Sequence, residues 1–485
     1  MENAPVLARQ RRDAWYRHIT VEPAMALYMF AFMITSVVEQ AFFVYKTCRV
    51  NHNYTEEICV NINQANYTDI KKEVQITVST FYQWNNIAAH VFPIFLAMFL
   101  GSWSDRRGRK FPLLMGLCGK LIYSIMIIVN ATNHSWPIQY VLYTATIPCA
   151  LTGADLAIFA SCFAYVSDVS TVDKRTLRVA ILEVCYLVTI PTGVALGSFL
   201  FNNVLNASYA YMFTVNASLL IVALIYSLIM LKWQTTEKQR SLREVGFFGF
   251  FPDFFDRTHV VESIRVLVKK REGYGRVFLF IFLGMMTLYT FQRDEKPFLY
   301  LYTQLKFHWG VTDYSYFKTF QSSAYCIVTL IGIPLMNRVL KWKDTVIIFI
   351  GSTAHGLARI VYLLAEVPPL FYFGSLISSV GPVTAPVIRS MVSKNVPITE
   401  RGKMFALLSV CDNATPFISS VLYTQTYNAT IGEFGGIFVL TLATQCGVFL
   451  LAIVIHMLSS GISTTSSLEE KRDALIEEAT QEKRS

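Results

Sequence analysis

Twelve apolar stretches, each close to the length that crosses a membrane, constrain this chain more than any other feature. A hydrocarbon core of about 30 Å requires roughly 20 apolar residues in a helix. The stretches fall six and six on either side of a long polar segment: 21-45, 77-102, 112-130, 138-166, 177-200 and 209-231, then 277-302, 315-337, 345-364, 368-393, 403-424 and 432-457. The composition, with 53% apolar and 15% charged residues, is also more apolar than a water-soluble domain. The sequence therefore predicts an all-α polytopic membrane protein, and we number the stretches as spans 1 to 12.

The six-and-six division predicts two membrane bundles joined by a linker. The first bundle covers 21-231 and the second covers 277-459. Between them, 232-276 is rich in basic and aromatic residues, which predicts a cytoplasmic linker with an amphipathic helix at the membrane interface. We predict that 1-20 is a cytoplasmic N-terminal arm and that 460-485 is a cytoplasmic tail.

Two independent patterns predict that both termini are cytoplasmic. Cytoplasmic loops carry an excess of Lys and Arg, and here the basic residues cluster in the N-terminal arm and in the even-numbered loops. Glycosylation sequons can be modified only on the opposite side. Six sequons lie in odd-numbered outer loops, at Asn53, Asn66, Asn130, Asn133, Asn206 and Asn428, and we predict glycans there.

Charge and cysteine usage exclude several functions. The net charge of +9 comes from residues beside the spans, as the orientation bias requires, and not from a nucleic-acid-binding stripe.

Only Cys48 and Cys59 lie in an outer loop, where oxidation is possible, so we predict a local disulfide between them. The other seven cysteines lack metal-ligand spacing, which predicts packing and no metal site. No nucleophile elbow, phosphate-binding loop or cofactor motif is present, so we predict neither an enzyme nor a cofactor.

The loop between spans 2 and 3 reads GSWSDRRGRK at 101-110 and resembles the G-x-x-x-D-R-x-G-R-K loop of the major facilitator superfamily. The resemblance implies the fold of that superfamily, two six-helix bundles, with this loop in the cytoplasm. It also implies that Asp105 and Arg109 belong to a conformational latch that packs against span 11. Gly101 and Gly108 would permit the close approach.

Three further segments narrow the resemblance. HITVEP at 18-23, FAYVSDVS at 163-170 and PVIRSMVSK at 386-394 resemble solute carrier family 46, which includes the proton-coupled folate transporter. The likeness runs in patches through nearly the whole membrane domain. It departs in span 1, where Ser36 to Tyr45 replaces a polar family pattern, and in span 7, where 278-302 lacks the histidine that the folate transporter uses. Folate is therefore one candidate substrate among several.

Ionisable residues inside the spans are the best indicators of a transport pathway, because they are costly in lipid and usually face a wet cavity. Asp155, Glu183 and Arg389 match positions that the resemblance ties to proton coupling and substrate handling. A partly shielded carboxyl can load a proton in an acidic compartment and release it inside. Arg389 can pair with an anionic substrate, and Asp412 in span 11 is a further candidate in the binding site. The competing interpretation is that these residues form fixed salt bridges.

Two other groups are candidates for substrate contact. In the run QRDEKP at 292-297, four consecutive charges cannot all face one cavity. Arg293 and Asp294 therefore contribute to a binding site or outer gate, or the helix ends there at Pro297. In span 2, Trp84 and Asn85 either contact an aromatic substrate or pack.

The sequence thus predicts proton-coupled symport of a small organic anion by alternating access, with protons and the lipid bilayer as its other partners. The resemblance suggests folate-like, muropeptide-like or cyclic-dinucleotide-like substrates in the plasma or endolysosomal membrane. The missing histidine in span 7 keeps open a proton-independent carrier or exchanger. A receptor without transport activity is a third alternative.

Overall fold

In the computed structural model, every regular element of the described residues is helical. The structure describes 19–170, 172–236, 239–240, 249, 252–255, 275–395, 398–433 and 435–458. Nearly all of the predicted N-terminal arm (1-20), most of the predicted linker helix (232-276) and the predicted tail (460-485) lie outside these residues.

The first six spans form the following helices. They are Glu22–Thr35, Val38–Lys46 with Thr47–Asn51, Thr68–Arg107, Lys110–Thr132, Gln139–Val141 with Leu142–Thr146 and Ile147–Ala150, Ala154–Val169, Val172–Phe199 with Leu200–Val204, and Tyr209–Met230. Two short helices, Glu56–Val60 and Ala65–Tyr67, lie between spans 1 and 2.

The last six spans contain more interruptions. Their helices are Gly275–Phe291, Gln292–Asp294, Glu295–Lys306, Val311–Ile327, Val328–Gly332, Leu335–Val339, Asp344–Leu364, Pro368–Ser378, Gly381–Val383, Thr384–Asn395, Ile398–Ala414, Pro416–Ala429 and Gly436–Leu458.

Within the described residues, eight helices are long and apolar enough to cross a membrane, and a bent pair in span 1 would make a ninth. Spans 7, 8 and 11 form helices but are broken. Their first segments, Gly275–Phe291, Val311–Ile327 and Ile398–Ala414, have 17 residues each. At a rise of 1.5 Å per residue, this is about 26 Å, slightly short of the hydrocarbon core. These three spans therefore cross only if the helices on both sides of each break are counted together.

Four breaks lie in spans that correspond under a six-helix shift, namely 1 with 7 and 4 with 10. Span 1 bends by 42° between Glu22–Thr35 and Val38–Asn51. Span 7 is broken by the 3-10 turn Gln292–Asp294, and span 10 by Gly381–Val383. Span 4 breaks before Ala154–Val169 at Gly153, whose φ of +79° favours glycine. Discontinuous helices at matching positions of the two halves are where transporters of repeated architecture bind substrate.

The chain divides into two compact units, each with its own apolar core. The first unit comprises Met1–Val260 with Tyr300–Ser323, and the second comprises Val261–Leu299 with Ala324–Ser485. The core of the first unit includes Tyr28, Leu117, Ile158, Leu182 and Leu220, which come from spans 1, 3, 4, 5 and 6. The core of the second unit includes Phe282, Ile348, Ile388, Leu408 and Val448, which come from spans 7, 9, 10, 11 and 12.

The units differ from the predicted bundles in one segment, because Tyr300–Ser323 packs with the first unit. Gln75 donates from Nε2 to the Leu301 carbonyl at 3.0 Å and to Gln304 Oε1 at 2.9 Å. Lys71 donates to the Gln304 carbonyl at 3.2 Å and is itself fully buried. Buried polar side chains thus join this segment to span 2.

Candidate functional site

The second unit brings together three residues that were predicted to bind substrate. Arg389 NH2 lies 3.4 Å from Asp412 Oδ2, and Arg293 NH2 donates to the Asp412 carbonyl at 3.2 Å. Thr290 donates to Asp412 Oδ1 at 2.7 Å. The Arg389 side chain is 53% exposed and that of Asp412 is 16% exposed. An accessible guanidinium whose counter-ion is an internal carboxylate can exchange it for an incoming anion.

The charged run in span 7 does not mark the end of the helix, because helix Glu295–Lys306 continues after the 3-10 turn. The turn directs neighbouring side chains to different sides. Arg293 and Lys296 are exposed, while Asp294 and Glu295 are 6% and 2% exposed. Asp294 accepts a hydrogen bond from Ser419 inside the unit. In this conformation Asp294 is therefore an interior group that binds span 11, and its contact with a substrate stays a prediction.

A buried ionic network anchors the same turn to span 9. Arg359 Nε donates to Glu295 Oε2 at 3.2 Å, and its NH1 donates to His355 Nδ1 at 2.8 Å and to Ser378 Oγ at 2.9 Å. Since a guanidinium only donates, His355 Nδ1 must accept, and the ring proton of a neutral His355 resides on Nε2. A Cβ on Gly381 would overlap the His355 ring, so the break in span 10 makes room for the imidazole.

In the first unit, Asp155 is part of an ion pair. Lys120 Nζ lies 2.7 Å from Asp155 Oδ1, and Tyr28 donates its hydroxyl to the same carboxylate. Asp155 lies in the first turn after the break at Gly153, and its side chain is half exposed. Asp155 thus has a salt-bridge partner from its own half of the chain in this conformation.

Glu183, the other predicted proton-coupling carboxyl, is exposed on helix Val172–Phe199. No hydrogen bond or ion pair of its side chain occurs within the part of the chain that the structure describes. Glu183 therefore differs from Asp155, which has Lys120 and Tyr28 as partners.

The two polar candidates of span 2 also differ from each other. Trp84 is 55% exposed, and its indole face is available for contact. Asn85 accepts a hydrogen bond from Thr146 at 2.5 Å, which ties span 2 to span 4. Only Trp84 presents most of its side chain to the surroundings.

The latch residues form an ionic cluster within the first unit. Arg109 pairs with Asp105 and, at 3.0 Å, with Asp168 at the end of span 4. A side chain on Gly108, whose φ is +104°, would overlap the Trp233 carbonyl oxygen. By contrast, a Cβ on Gly101 would meet no heavy atom within 4 Å among the described residues. Among the described residues there is thus a close approach at Gly108 and none at Gly101.

The same loop holds part of the segment that joins the halves, a contact that the sequence did not reveal. Arg107 donates to both carboxylate oxygens of Asp253 at 2.9 Å, and Trp103 Nε1 donates to it at 2.9 Å. Phe254 packs on the Trp103 ring with centroids 5.4 Å apart. The hydrogen bonds from Arg107 hold the pKa of Asp253 below its usual value. This contact therefore contributes its stability at any pH above the ordinary carboxyl range and loses it only as the pH falls through the lowered pKa.

The loops that were predicted to face outward contain the predicted disulfide and most of the predicted glycosylation sites. Cys48 and Cys59 are bonded, with Cα atoms 5.7 Å apart. Asn53, Asn66 and Asn206 are exposed, and Asn133 and Asn428 are partly exposed. Asn130, however, has no exposed surface, and its Nδ2 donates to the Met126 carbonyl at 2.8 Å and to Thr144 at 2.9 Å. The nitrogen that would carry the sugar at Asn130 is therefore buried in the folded protein, and we expect no glycan at this sequon.

We expect Asn130→Gln to leave the mass of the glycosylated protein unchanged. The physical reason is the full burial of the Asn130 amide. Asn53→Gln and Asn206→Gln are the matched controls, since both side chains are exposed, and each should lower the apparent mass by one glycan. Electrophoretic mobility before and after enzymatic deglycosylation measures this. Loss of a glycan in Asn130→Gln alone would contradict the burial argument.

Metal binding gains no support from the geometry. Within the described ranges, no group of three or more His, Cys, Asp or Glu side chains is arranged to hold a metal ion.

The family model and the similar solved structures both belong to membrane transporters. The Major Facilitator Superfamily matches residues 24–358. Among solved structures, the human organic anion transporter MFSD10 (TETRAN) has a TM-score of 0.61 at 13% identity and covers 89% of this chain and 97% of its own. A peptide transporter POT in complex with sulfate has a TM-score of 0.58 at 13% identity, covering 91% of this chain and 95% of its own. At these identities, the structural likeness establishes the fold alone.

Sequence relatives extend over most of the chain. A Drosophila melanogaster protein named as a probable peptidoglycan muropeptide transporter SLC46 is 26% identical, covering 91% of this chain and 86% of its own. The Rattus norvegicus proton-coupled folate transporter is 26% identical, covering 86% of this chain and 87% of its own. The Homo sapiens lysosomal proton-coupled steroid conjugate and bile acid symporter SLC46A3 is 26% identical, covering 95% of this chain and 98% of its own. The chain is therefore a multi-pass transporter of the major facilitator superfamily, not an enzyme, and its distant homologues across most of its length are members of solute carrier family 46.

Proposed function

We propose that this protein is a proton-coupled symporter of a small organic anion that works by alternating access. The observation that carries the proposal is the accessible Arg389 with its counter-ion Asp412, at 3.4 Å. Arg293 and Lys296 are also exposed and add positive charge on span 7. Asp294 and Glu295 of the same run are buried, so the exposed charged side chains named here are the three cations, which suits a carboxylate, sulfate or phosphate substrate.

Anion binding follows from competition for Arg389. A planar guanidinium can bind two oxygens of an oxyanion at once, whereas its present contact with Asp412 is a single long one. A substrate oxyanion would replace that contact, and Asp412 would keep its hydrogen bond from Thr290. When the substrate leaves, Asp412 can pair again with Arg389, which avoids an unpaired charge in the membrane.

Proton coupling is assigned to carboxyls of the first unit, Asp155 and Glu183. Asp155 is held by Lys120 and Tyr28, so a proton there would release Lys120. Glu183 is exposed on span 5 and can exchange protons with the solution that reaches it. The relatives named as proton-coupled symporters make coupling the preferred alternative.

The substrate classes that we propose are folate-like, muropeptide-like and cyclic-dinucleotide-like anions, to which the relatives add steroid conjugates and bile acids. The membrane is the plasma membrane or an endolysosomal membrane, with both termini in the cytoplasm. One named relative is lysosomal. Trp84 supplies an aromatic face for substrates that contain rings.

A proton-independent carrier or exchanger is the second candidate. It is favoured by the absence of histidine from 278–302 and by the pairing of Asp155 with Lys120, which neutralises that carboxylate. Such a carrier would move the same anions at equal rates in acid and at neutral pH.

The decisive experiment measures uptake of a labelled panel of these anions into cells with the protein at their surface, at acidic and at neutral external pH. Acid stimulation is expected for at least one anion. We expect Glu183→Gln to abolish this stimulation, because the amide cannot carry a proton, while uptake at neutral pH persists. Glu366→Gln, an exposed carboxyl between spans 9 and 10, is the matched control. Acid-stimulated uptake in Glu183→Gln would remove Glu183 from the mechanism, and equal uptake by the wild type at both pH values would favour the uncoupled carrier.

A further inference from the structure

Glu39 lies immediately after the break in span 1, in the first turn of helix Val38–Lys46. Its Oε1 accepts a hydrogen bond from the Tyr123 hydroxyl at 2.6 Å. Tyr123 is neutral, and among the described residues no Lys, Arg or His forms an ion pair with Glu39. This carboxyl is partly buried in the first unit, and a phenol is its hydrogen-bond donor.

The cation that acts electrostatically on Glu39 is Lys120, on the same helix as Tyr123, and it is paired with another carboxylate. Its ammonium lies 2.7 Å from Asp155 and 5.2 Å from the centroid of the Phe32 ring. Tyr28 donates to the same Asp155 carboxylate. Lys120 and Asp155 both interact electrostatically with Glu39 without pairing with it. Span 3 thus contacts two neighbouring helices: its Lys120 pairs with Asp155 of span 4, and its Tyr123 donates to Glu39 of span 1.

The charge balance of this cluster requires one proton. Lys120, Asp155 and Glu39 together carry one positive and two negative charges when all are ionised. The other titratable groups that face the cluster from neighbouring helices are Tyr28, Tyr123, Cys149 and His90. In a membrane interior a net charge is costly, so the cluster is more stable with one proton on a carboxylate. Asp155 already has its ammonium partner, so of the two carboxylates Glu39 is the better site for that proton when His90 is neutral.

We propose that Glu39 is the carboxyl that takes up the coupled proton, with Lys120 and Asp155 as the fixed pair beside it. The inference rests on the proposed proton-coupled function and refines it. Asp155 then takes part by holding Lys120, and the exposed Glu183 exchanges the proton with the solution. In the step itself, Glu39 Oε2 binds a proton from the outer solution to give a neutral carboxylic acid. Tyr123 keeps its hydrogen bond to Oε1, and the cluster changes from a net charge of −1 to zero. Releasing that proton to the inner solution restores the charge.

The test is a substrate-free titration of the purified full-length protein in lipid nanodiscs, followed by infrared difference spectroscopy between neutral and acidic pH. The carbonyl stretch of a protonated carboxylic acid is the readout. We expect Glu39→Gln to remove one band that the wild type gains on acidification. Glu366→Gln, which changes an exposed carboxyl far from the cluster in sequence, should retain that band. If Asp155→Asn removes the band and Glu39→Gln retains it, the proton resides on Asp155 and the inference is overturned.

A second variant covers the case in which Glu39→Gln does not fold. Tyr123→Phe removes the hydrogen bond to the carboxylate but leaves Glu39 in place. Its band should appear at a higher pH than in the wild type, because the charged form has lost a donor. An unshifted band in Tyr123→Phe would contradict the assignment. The titration does not depend on flux, so a wild type that binds this proton but shows no acid-stimulated uptake would defeat the proposed symport and leave the site on Glu39 intact.

Discussion

Replacing Arg359 by alanine is expected to destabilise the second unit strongly, so that the protein unfolds at a much lower temperature and less of it reaches the cell surface. Arg359 is 7% exposed and Glu295 is 2% exposed, and their side chains pair at 3.2 Å. Removing one partner of a buried ion pair leaves an uncompensated charge and costs about 3–5 kcal/mol. A domain is typically stable by only about 5–15 kcal/mol. His355 and Ser378 would also lose the donor that they share.

Thermal unfolding of the purified protein in detergent, together with surface expression, measures this effect. The matched control is Lys394→Ala, which breaks the pair with Asp344 at 2.6 Å. The Lys394 side chain is 63% exposed, so its loss should cost less than about 1 kcal/mol. The double variant Glu295→Leu with Arg359→Met should recover much of the stability, because replacing both charges by apolar groups is often neutral. If Arg359→Ala unfolds at the same temperature as Lys394→Ala, the pair is not an anchor of the second unit.

The class of fold could be predicted from hydropathy and one loop. Twelve apolar stretches and the GSWSDRRGRK loop were sufficient, because length and apolar content decide whether a helix can cross lipid. The breaks were harder to predict. Pro416 and Pro297 are visible in the sequence, but the bend after Thr35 has no proline or glycine beside it. Such a bend arises from packing against neighbouring helices, which a single sequence does not encode locally.

The pairing of charges was the main feature that sequence reasoning missed. Lys120 and Asp155 are 35 residues apart, and Arg359 and Glu295 are 64 apart. A signal was nevertheless available. A lone charge within a span needs a partner inside the protein, so each cation in a span predicts a carboxylate in another span of the same half. For Lys120 and Arg359 this rule would have reduced the number of possible carboxylate partners, but it would not have identified the partner.

Burial of individual residues depends on helix phase, and the breaks alter that phase. Asp294 and Arg293 are neighbours, yet the 3-10 turn directs one inside and the other outside. Asn130 lies in a valid sequon, but helix Lys110–Thr132 extends far enough to bury it against Thr144. In both cases the sequence pattern was read correctly, but packing between helices decided whether the side chain is buried.

Replacing Arg389 by alanine is expected to lower the efficiency of anion uptake, kcat/KM, by about tenfold to a hundredfold. A hydrogen bond to a charged group contributes about 1.5–3 kcal/mol, and each 1.4 kcal/mol is a factor of about ten. The side chain is 53% exposed, so the substitution removes an accessible binding group without opening a buried cavity. Surface expression should therefore remain close to that of the wild type. Lys394→Ala again serves as the control, since it removes another cation from the same span.

The counter-ion gives this prediction a sharper form. Asp412 competes with the substrate for Arg389, so Asp412→Ala should lower the KM for the anion. It should also lower the maximal rate, because no internal carboxylate remains to displace the substrate for release. Uptake kinetics of Arg389→Ala, Asp412→Ala and Arg389→Lys distinguish these effects. The lysine variant keeps the charge but loses the two-pronged donor geometry, and we expect it to recover only part of the affinity. If Arg389→Ala and Lys394→Ala transport the anion equally well, the substrate is not bound by the Arg389 guanidinium. If Asp412→Ala raises the KM instead, Asp412 positions Arg389 and does not compete with the substrate.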